Sequence, residues 1–92
     1  MAYTYLIGWR KLDKWYYGYR NRDNPESDLW VEYFTSSKYV KEFRELHGEP
    51  DVVRVHRVFP DKVSAMVFED RFLYRVNAVR SSRWLNRGRR GI

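Results

Sequence analysis

The chain has 92 residues, and its 18 Lys and Arg against 12 Asp and Glu give a net charge of +6 at pH 7. This length suits one small domain spanning residues 1–92. Aromatic residues make up 18% of the chain, which argues against intrinsic disorder. The absence of cysteine excludes a disulfide scaffold and a Cys-ligated zinc or iron–sulfur site. No apolar run approaches the roughly 18 residues of a membrane span, so we expect a cytoplasmic protein with no membrane partner.

The positive charge is concentrated near the C-terminus. Residues 1–70 contain 11 basic and all 12 acidic side chains, whereas residues 71–92 contain seven arginines and no acid. Arginine binds phosphate in a planar, bidentate geometry that lysine lacks. We therefore predict a nucleic acid as the partner, in preference to a solubilising role for this segment. The candidate phosphate-binding residues are Arg71, Arg75, Arg80, Arg83, Arg87, Arg89 and Arg90.

The first third of the chain predicts two strands and a loop. Residues 2–9 are rich in β-formers, and residues 15–19 form a second aromatic run. Residues 11–14 between them are typical of a hairpin connection. Residues 21–28 combine Asn, Asp, Pro and Ser without periodicity, which indicates a loop.

A helix is predicted next, over about residues 38–47. Ser36 or Ser37 can cap its first turn, and Gly48 favours its end. Its inward side begins with Val40.

A third strand and an irregular segment complete the predicted fold. Residues 52–59 alternate well enough for a strand in which Val53, Val55 and Phe59 share one face. Residues 78–92 are expected to be irregular and rich in arginine. A second helix is predicted between the third strand and this segment, so the order is β–β–α–β–α plus a basic C-terminal segment. This order predicts an α+β domain whose small, three-stranded, mostly antiparallel sheet is flanked by helices.

The second helix, capped by Asp61 and covering about residues 62–77, carries an unusual carboxylate. At about 100° per residue, Glu69 projects near the middle of the apolar side. That side consists of Ala65, Met66, Phe72, Leu73 and Val76. A carboxylate rarely occupies such a position unless it is paired or bound to a cation. Two explanations follow, a salt bridge to an arginine or a hard-metal site in which Glu69 binds Mg²⁺ beside substrate phosphate and water.

The two N-terminal strands carry a pair of tyrosine motifs. Tyr3-Thr4-Tyr5 and Trp15-Tyr16-Tyr17-Gly18 place Tyr5 and Tyr16 11 positions apart. The pair resembles the paired motif of the GIY-YIG nucleases, small β–β–α–β–α domains that cut DNA with one divalent metal ion. Thr35-Ser36-Ser37-Lys38 at the start of a helix is similar to the central segment of phage homing endonucleases of that family. The resemblance covers nearly the whole chain and implies a phage or mobile-element origin.

The resemblance implies a role for five residues. Glu69 corresponds to the metal-binding glutamate of the family, with one Mg²⁺ or Mn²⁺ as the cofactor. Tyr5 or Tyr16 would position or deprotonate the attacking water, and Arg20 would neutralise the phosphate. Asn86 falls where the family carries an asparagine, and would hold the geometry or contact phosphate. A general-base role for a tyrosine requires that nearby cations lower its pKa from about 10.

Departures from the family leave some positions open. The first motif has Tyr-Thr-Tyr in place of Gly-Ile-Tyr, and the loop after the second motif is shorter than in the best-known members. Arg20 or Arg22 can therefore supply the catalytic arginine, and Arg20 is preferred because it follows the strand directly. Tyr33, with Thr35 as an alternative, corresponds to a His or Tyr that the family often has before its central helix.

The function expected from this resemblance is metal-dependent hydrolysis of phosphodiester bonds by a DNA endonuclease or nickase. The alternative is a non-catalytic nucleic-acid-binding module that uses the arginine-rich segment. Homing members usually append a separate DNA-binding region, and 92 residues leave no room for one. We expect target recognition to come from the arginine-rich segment, from a second copy in a homodimer, or from a separate targeting partner.

Overall fold

The computed structural model describes residues 1–86, and they begin with a β-hairpin. Strand β1 (Ala2–Trp9) pairs antiparallel with β2 (Lys14–Arg20). A 3₁₀ turn at Arg10–Leu12 connects them, and Asp13 reverses the chain in a left-handed conformation (φ 52°). The two predicted strands and their connection are confirmed.

The segment predicted as a loop contains a short helix, α1 (Pro25–Asp28). Proline at the first helical position favours this start, because its φ is already helical and it has no N–H to leave unpaired. Asn24 precedes it in a left-handed conformation (φ 52°). The prediction of a loop over residues 21–28 is therefore wrong for its second half.

Helix α2 (Lys38–His47) has the predicted bounds. Of the two candidate caps, Ser37 is the one used, and its Oγ accepts a hydrogen bond from the Val40 amide at 3.4 Å. The helix ends at Gly48, whose φ of 87° lies in a region that favours glycine.

Helix α3 (Lys62–Arg75) begins where the sequence places it and ends two residues early. The Asp61 carboxylate accepts a hydrogen bond from the Ser64 amide at 2.7 Å, which confirms the predicted cap. The early end occurs because Asn77 turns into the left-handed region (φ 55°). Within residues 1–86, no helix has the length and apolar character needed to cross a membrane.

Strand β3 (Val52–Phe59) pairs with β1, so the sheet order is β2-β1-β3 with both pairings antiparallel. The register of β3 shifts by one residue at His56, which forms a bulge. As a result, Val55 packs on one face of the sheet, whereas Phe59 contacts Phe68 of α3 on the other, at 5.3 Å between ring centroids. The prediction that Phe59 shares a face with the two valines is wrong, because a bulge reverses the alternation.

The sheet separates two apolar clusters, one on each face. The face that α2 covers buries Tyr3, Tyr5, Ile7, Trp9, Leu29, Val40 and Leu85. The face that α3 covers buries Tyr17, Ala78 and Trp84, with Phe68, Phe72, Leu73 and Val76 packed against them. The predicted α+β architecture, with an antiparallel three-stranded sheet flanked by helices, is confirmed.

Residues 83–86 close the free edge of β2. The Trp15 amide donates to the Arg83 carbonyl at 2.9 Å, and the Leu85 amide donates to the Trp15 carbonyl at 2.7 Å. Trp84 and Leu85 then point to opposite faces of the sheet, as neighbours in a strand do. The segment predicted as irregular, residues 78–92, thus begins with turns and adds a short parallel pairing to the sheet edge at residues 83–86.

Candidate active site

Tyr5 and Tyr16 meet on one face of the hairpin. In the antiparallel register Tyr5 lies opposite Gly18, and Tyr16 lies opposite Ile7. The rings of Tyr5 and Tyr16 are tilted against each other with centroids 6.1 Å apart. A Cβ atom at Gly18 would stand 2.6 Å from the Tyr5 hydroxyl, so the glycine makes room for that hydroxyl.

Tyr17 points to the opposite face and is not part of this cluster. Its hydroxyl lies 2.6 Å from Nδ1 of His56, and its ring stacks on Phe72 of α3 with centroids 3.8 Å apart. Alternation along β2 therefore makes Tyr16, and not its neighbour, the partner of Tyr5.

Tyr33 and Thr35 complete the tyrosine cluster. The Tyr5 hydroxyl lies 3.2 Å from the Tyr33 hydroxyl and 3.3 Å from Oγ1 of Thr35. Thr35 is buried and has a φ of 84°, a strained conformation for a β-branched residue. Its Oγ1 also accepts a hydrogen bond from the Ser37 amide, which links the cluster to the start of α2. Both positions that the sequence suggested before the central helix thus contact Tyr5.

Arg20 is held at the edge of this cluster. Its Nε donates to the Asp28 carboxylate at 3.0 Å, and its guanidinium lies 4.2 Å from the centre of the Tyr33 ring. The Arg20 side chain is 30% exposed and so remains accessible to a ligand. Arg22 also faces Asp28, but at 4.0 Å and with a more exposed side chain. Of the two candidate arginines, Arg20 has the better-defined position.

Asp28 is a buried site residue that no motif in the sequence indicated. Its carboxylate accepts hydrogen bonds from Arg20 and from the Tyr3 hydroxyl, the latter at 2.7 Å. Burial alone would raise the pKa of Asp28, but hydrogen bonds from Arg20 and Tyr3 outweigh burial and lower it. The only sequence signal was an acid directly before the apolar residue Leu29. Arg20, its partner, lies eight positions earlier and across a loop, and no helix or strand periodicity predicts a pairing at that separation.

Glu69 lies on the inward side of α3, as the helical projection predicted. It is 8% exposed and shares that side with Ala65, which is fully buried. The carboxylate is close enough to Tyr16 and Tyr17 that its charge helps raise the pKa of both hydroxyls. The charge of Glu69 therefore acts on the Tyr16 hydroxyl of the cluster as well as on the Tyr17 hydroxyl of the opposite face.

A single buried carboxylate such as Glu69 fits a hard cation that keeps part of its water shell. Within residues 1–86 there is no group of three or more His, Asp or Glu side chains arranged to hold a metal. A dedicated protein cage is thus lacking in this part of the chain. Mg²⁺ is commonly bound through one or two carboxylates, with water and substrate phosphate as the remaining ligands. Glu69 suits that mode of binding.

The hydroxyls of Tyr5 and Tyr16 are protonated at neutral pH. Burial raises the pKa of Tyr16 to about 12, with the charges of Tyr33 and Glu69 acting in the same direction. Burial likewise raises the pKa of Tyr5 well above its usual value. A general-base role requires the opposite shift. In the protein alone, both hydroxyls keep their protons and so cannot accept a proton from water as a general base.

Asn86 supports the site through the backbone of β2. Its Oδ1 accepts a hydrogen bond from the Tyr17 amide at 3.1 Å, and its Nδ2 donates to the Tyr17 carbonyl at 2.8 Å. The side-chain amide therefore continues the hydrogen-bond ladder that residues 83–85 form with β2. This contact fixes the strand segment that carries Tyr16.

The predicted phosphate-binding arginines divide into three groups. Arg83 forms an exposed ion pair with Asp13 at 3.1 Å. Arg71, Arg75 and Arg80 are exposed and form no ion pair within residues 1–86. Three others, Arg87, Arg89 and Arg90, lie outside the described residues.

Comparison with known proteins gives no relative. No protein-family model, curated protein or solved structure matches the chain.

Proposed function

We propose that the protein is a divalent-metal-dependent DNA endonuclease or nickase of the GIY-YIG type. The observation that carries the proposal is a buried carboxylate, Glu69, whose charge acts on the hydroxyl of Tyr16, the tyrosine that packs against Tyr5. Arg20 at the edge of the same cluster supplies a fixed positive charge. Phosphodiester hydrolysis requires an activated water, stabilisation of charge on the phosphoryl oxygens and help for the leaving alkoxide. A guanidinium and a metal ion held by a carboxylate can supply the charge stabilisation.

Arg20 binds and orients the scissile phosphate. A guanidinium has five N–H donors, and the hydrogen bonds to Asp28 use Nε and Nη2. The remaining donors are available to phosphate oxygens. Because Asp28 and the Tyr33 ring hold the guanidinium in place, little reorganisation is needed when charge develops on the phosphate.

Tyr5 and Tyr16 orient the attacking water or a phosphate oxygen as neutral donors. Their raised pKa keeps the proton on each hydroxyl, and the contacts of Tyr5 with Tyr33 and Thr35 fix its direction. A divalent ion held by Glu69, Mg²⁺ or Mn²⁺, supplies stabilisation of phosphoryl charge worth several kcal/mol when bound.

A non-catalytic nucleic-acid-binding module is the second candidate function. The observation that favours it is the set of three exposed arginines, Arg71, Arg75 and Arg80, without an acidic partner among residues 1–86. This candidate makes no use of the buried carboxylate of Glu69.

Cleavage of supercoiled plasmid in Mg²⁺ or Mn²⁺ by the wild type and Glu69→Gln tests the proposal. The substitution keeps the size of the side chain and removes its charge. We expect nicking to fall by at least about 100-fold, since several kcal/mol of charge stabilisation depend on the ion. Glu45→Gln, on the exposed side of α2, is the matched control and should cleave like the wild type.

Two results would count against the proposal as stated. Equal cleavage by the wild type and Glu69→Gln, with the variant folded by thermal melting, would refute the metal role of Glu69. Binding that weakens steeply with salt but gives no nicks would favour the binding module.

A further inference from the structure

A basic surface with one aromatic residue covers the outward side of α3. We call Asp70, Arg71, Tyr74, Arg75 and Arg80 the Tyr74 surface. Two depressions of about 430 and 580 Å³ lie on it, and Asp70 and Tyr74 line both. Tyr74 follows Glu69 by five residues, about 140° further round the helix. The Tyr74 surface is therefore distinct from the candidate active site.

Tyr74 is the most exposed tyrosine of the chain. It is 82% exposed, against 41% for Tyr39, while the other six are buried or half-buried. Within residues 1–86 its side chain makes no hydrogen bond or ring contact. Packing in this part of the fold thus gives no reason for an aromatic ring at this position.

The arginines around Tyr74 differ from five of the seven other arginines in residues 1–86, because only Arg54 and Arg57 of β3 likewise lack an ion pair there. Arg10, Arg20 and Arg44 each pair with an acid of this chain. The arginines of the Tyr74 surface form no ion pair among the described residues. Arg75 also lies in the last turn of α3, where a cation stabilises the helix dipole, so that position has a structural reason. No such reason applies to Arg71 or Arg80.

The Tyr74 surface is held in place by the end of α3. The Asn77 amide donates to the Tyr74 carbonyl at 3.1 Å, and the Ala78 amide donates to the Leu73 carbonyl at 3.0 Å. These bonds form a Schellman motif, with Asn77 in the left-handed conformation. The Arg80 amide then donates to the Asn77 carbonyl at 3.2 Å. The loop that brings Arg80 beside Tyr74 is therefore ordered before any ligand arrives.

We propose that Tyr74 stacks on an unpaired base of a nucleic-acid strand whose phosphates bind Arg71, Arg75 and Arg80. An exposed ring between cations is the arrangement that binds single strands, because bases stack on the ring and the backbone follows the charge. A base inside a duplex is already stacked and does not offer its face to the ring. A second copy of this chain would bring three arginines against three arginines, which repel. The inference rests on the proposed function only in taking a nucleic acid as the partner.

Binding of labelled oligonucleotides in EDTA tests the inference by fluorescence anisotropy, since cleavage then plays no part. The probes are an oligothymidine of about 12 nucleotides and a duplex of equal length. We expect Tyr74→Ala to weaken binding of the single strand by about 5- to 100-fold. Tyr74→Phe keeps the ring and should bind within about twofold of the wild type. Tyr39→Ala, which removes a less exposed tyrosine on α2, should leave binding unchanged.

Several outcomes would overturn the inference. They are unchanged binding by Tyr74→Ala, an equal loss on single strand and duplex, and a Tyr74-dependent dimer in sedimentation. Glu69-dependent cleavage without Tyr74-dependent binding would refute this inference and leave the proposed nuclease standing. Tyr74-dependent binding without cleavage would support this inference and refute the proposed nuclease.

Discussion

Gly18 lies in β2 directly opposite Tyr5, and Gly18→Ala tests how closely the tyrosine cluster is packed. The added Cβ would stand 2.6 Å from the Tyr5 hydroxyl, 2.7 Å from its Cζ and 3.0 Å from a ring carbon of Tyr16. The backbone at Gly18 does not require glycine, because its φ lies outside the left-handed region. Any effect therefore comes from the side-chain contacts.

The size of the effect follows from these distances. An ordinary van der Waals contact of 3.4 Å requires the Tyr5 hydroxyl to move by about 0.8 Å. Its hydrogen bonds to Tyr33 and Thr35 are already 3.2 and 3.3 Å long, so that movement breaks at least one of them. Overpacking of this kind costs about 1–3 kcal/mol of folding free energy. A displacement near 1 Å in a catalytic constellation lowers the rate by about 100-fold.

The assay compares two glycine variants of the same hairpin. Gly8→Ala also creates a close contact, but against the Trp15 ring, which is not part of the tyrosine cluster. Urea unfolding should show that both variants are destabilised, whereas plasmid nicking should fall steeply for Gly18→Ala alone. If Gly18→Ala nicks like the wild type while folded, or if both variants lose nicking equally, the reasoning about the Tyr5 hydroxyl is wrong.

Three further predictions concern the surroundings of the site. Burial raises the pKa of Tyr16 to about 12, so its protonated hydroxyl stabilises the folded state fully at a pH below the unfolded pKa of about 10. This stabilisation, at most about 3 kcal/mol of unfolding free energy, is lost as the pH rises toward 12. Urea unfolding at a series of alkaline pH values should show this fall, and a flat profile would contradict it. Asp28→Asn should release Arg20, cost about 1–3 kcal/mol and reduce nicking; an unchanged NMR signal of the Arg20 Nε–H would exclude that explanation. Asn86→Ala should cost about 2–4 kcal/mol and speed hydrogen exchange at the Tyr17 amide, whereas undiminished protection there would refute the role of this side chain.

Capping residues and helical spacing allowed α2 and α3 to be predicted from the sequence. Ser37, Asp61 and Gly48 act on the backbone within a few residues of themselves, so their effect can be read from neighbouring positions. The inward position of Glu69 followed in the same way from helical spacing. What these features share is that cause and effect lie within one or two helical turns.

The features that escaped prediction depend on contacts between distant segments. The bulge at His56 reverses the faces of β3, and only the pairing with β1 reveals it. Asp28 became part of the site through a loop that has no periodic pattern. The raised pKa of Tyr16 follows from burial, which motif spacing does not specify. The spacing of the motifs predicted that Tyr5 and Tyr16 lie close together, but their protonation and the contacts that hold them depend on the assembled fold.

The closure of the β2 edge by residues 83–86 has a consequence for how the molecule folds. Tyr17 and Asn86 lie 69 positions apart, so their contact closes one of the longest loops in the structure. The hairpin of β1 and β2 is local and can form early, whereas its outer edge must wait for almost the entire described chain. Until then that edge exposes unpaired backbone groups that other chains can pair with. During synthesis, the strand that carries Tyr16 gains the neighbours of its outer edge only after residues 83–86 have been made, so that edge is open to pairing with other chains for longer than the hairpin itself.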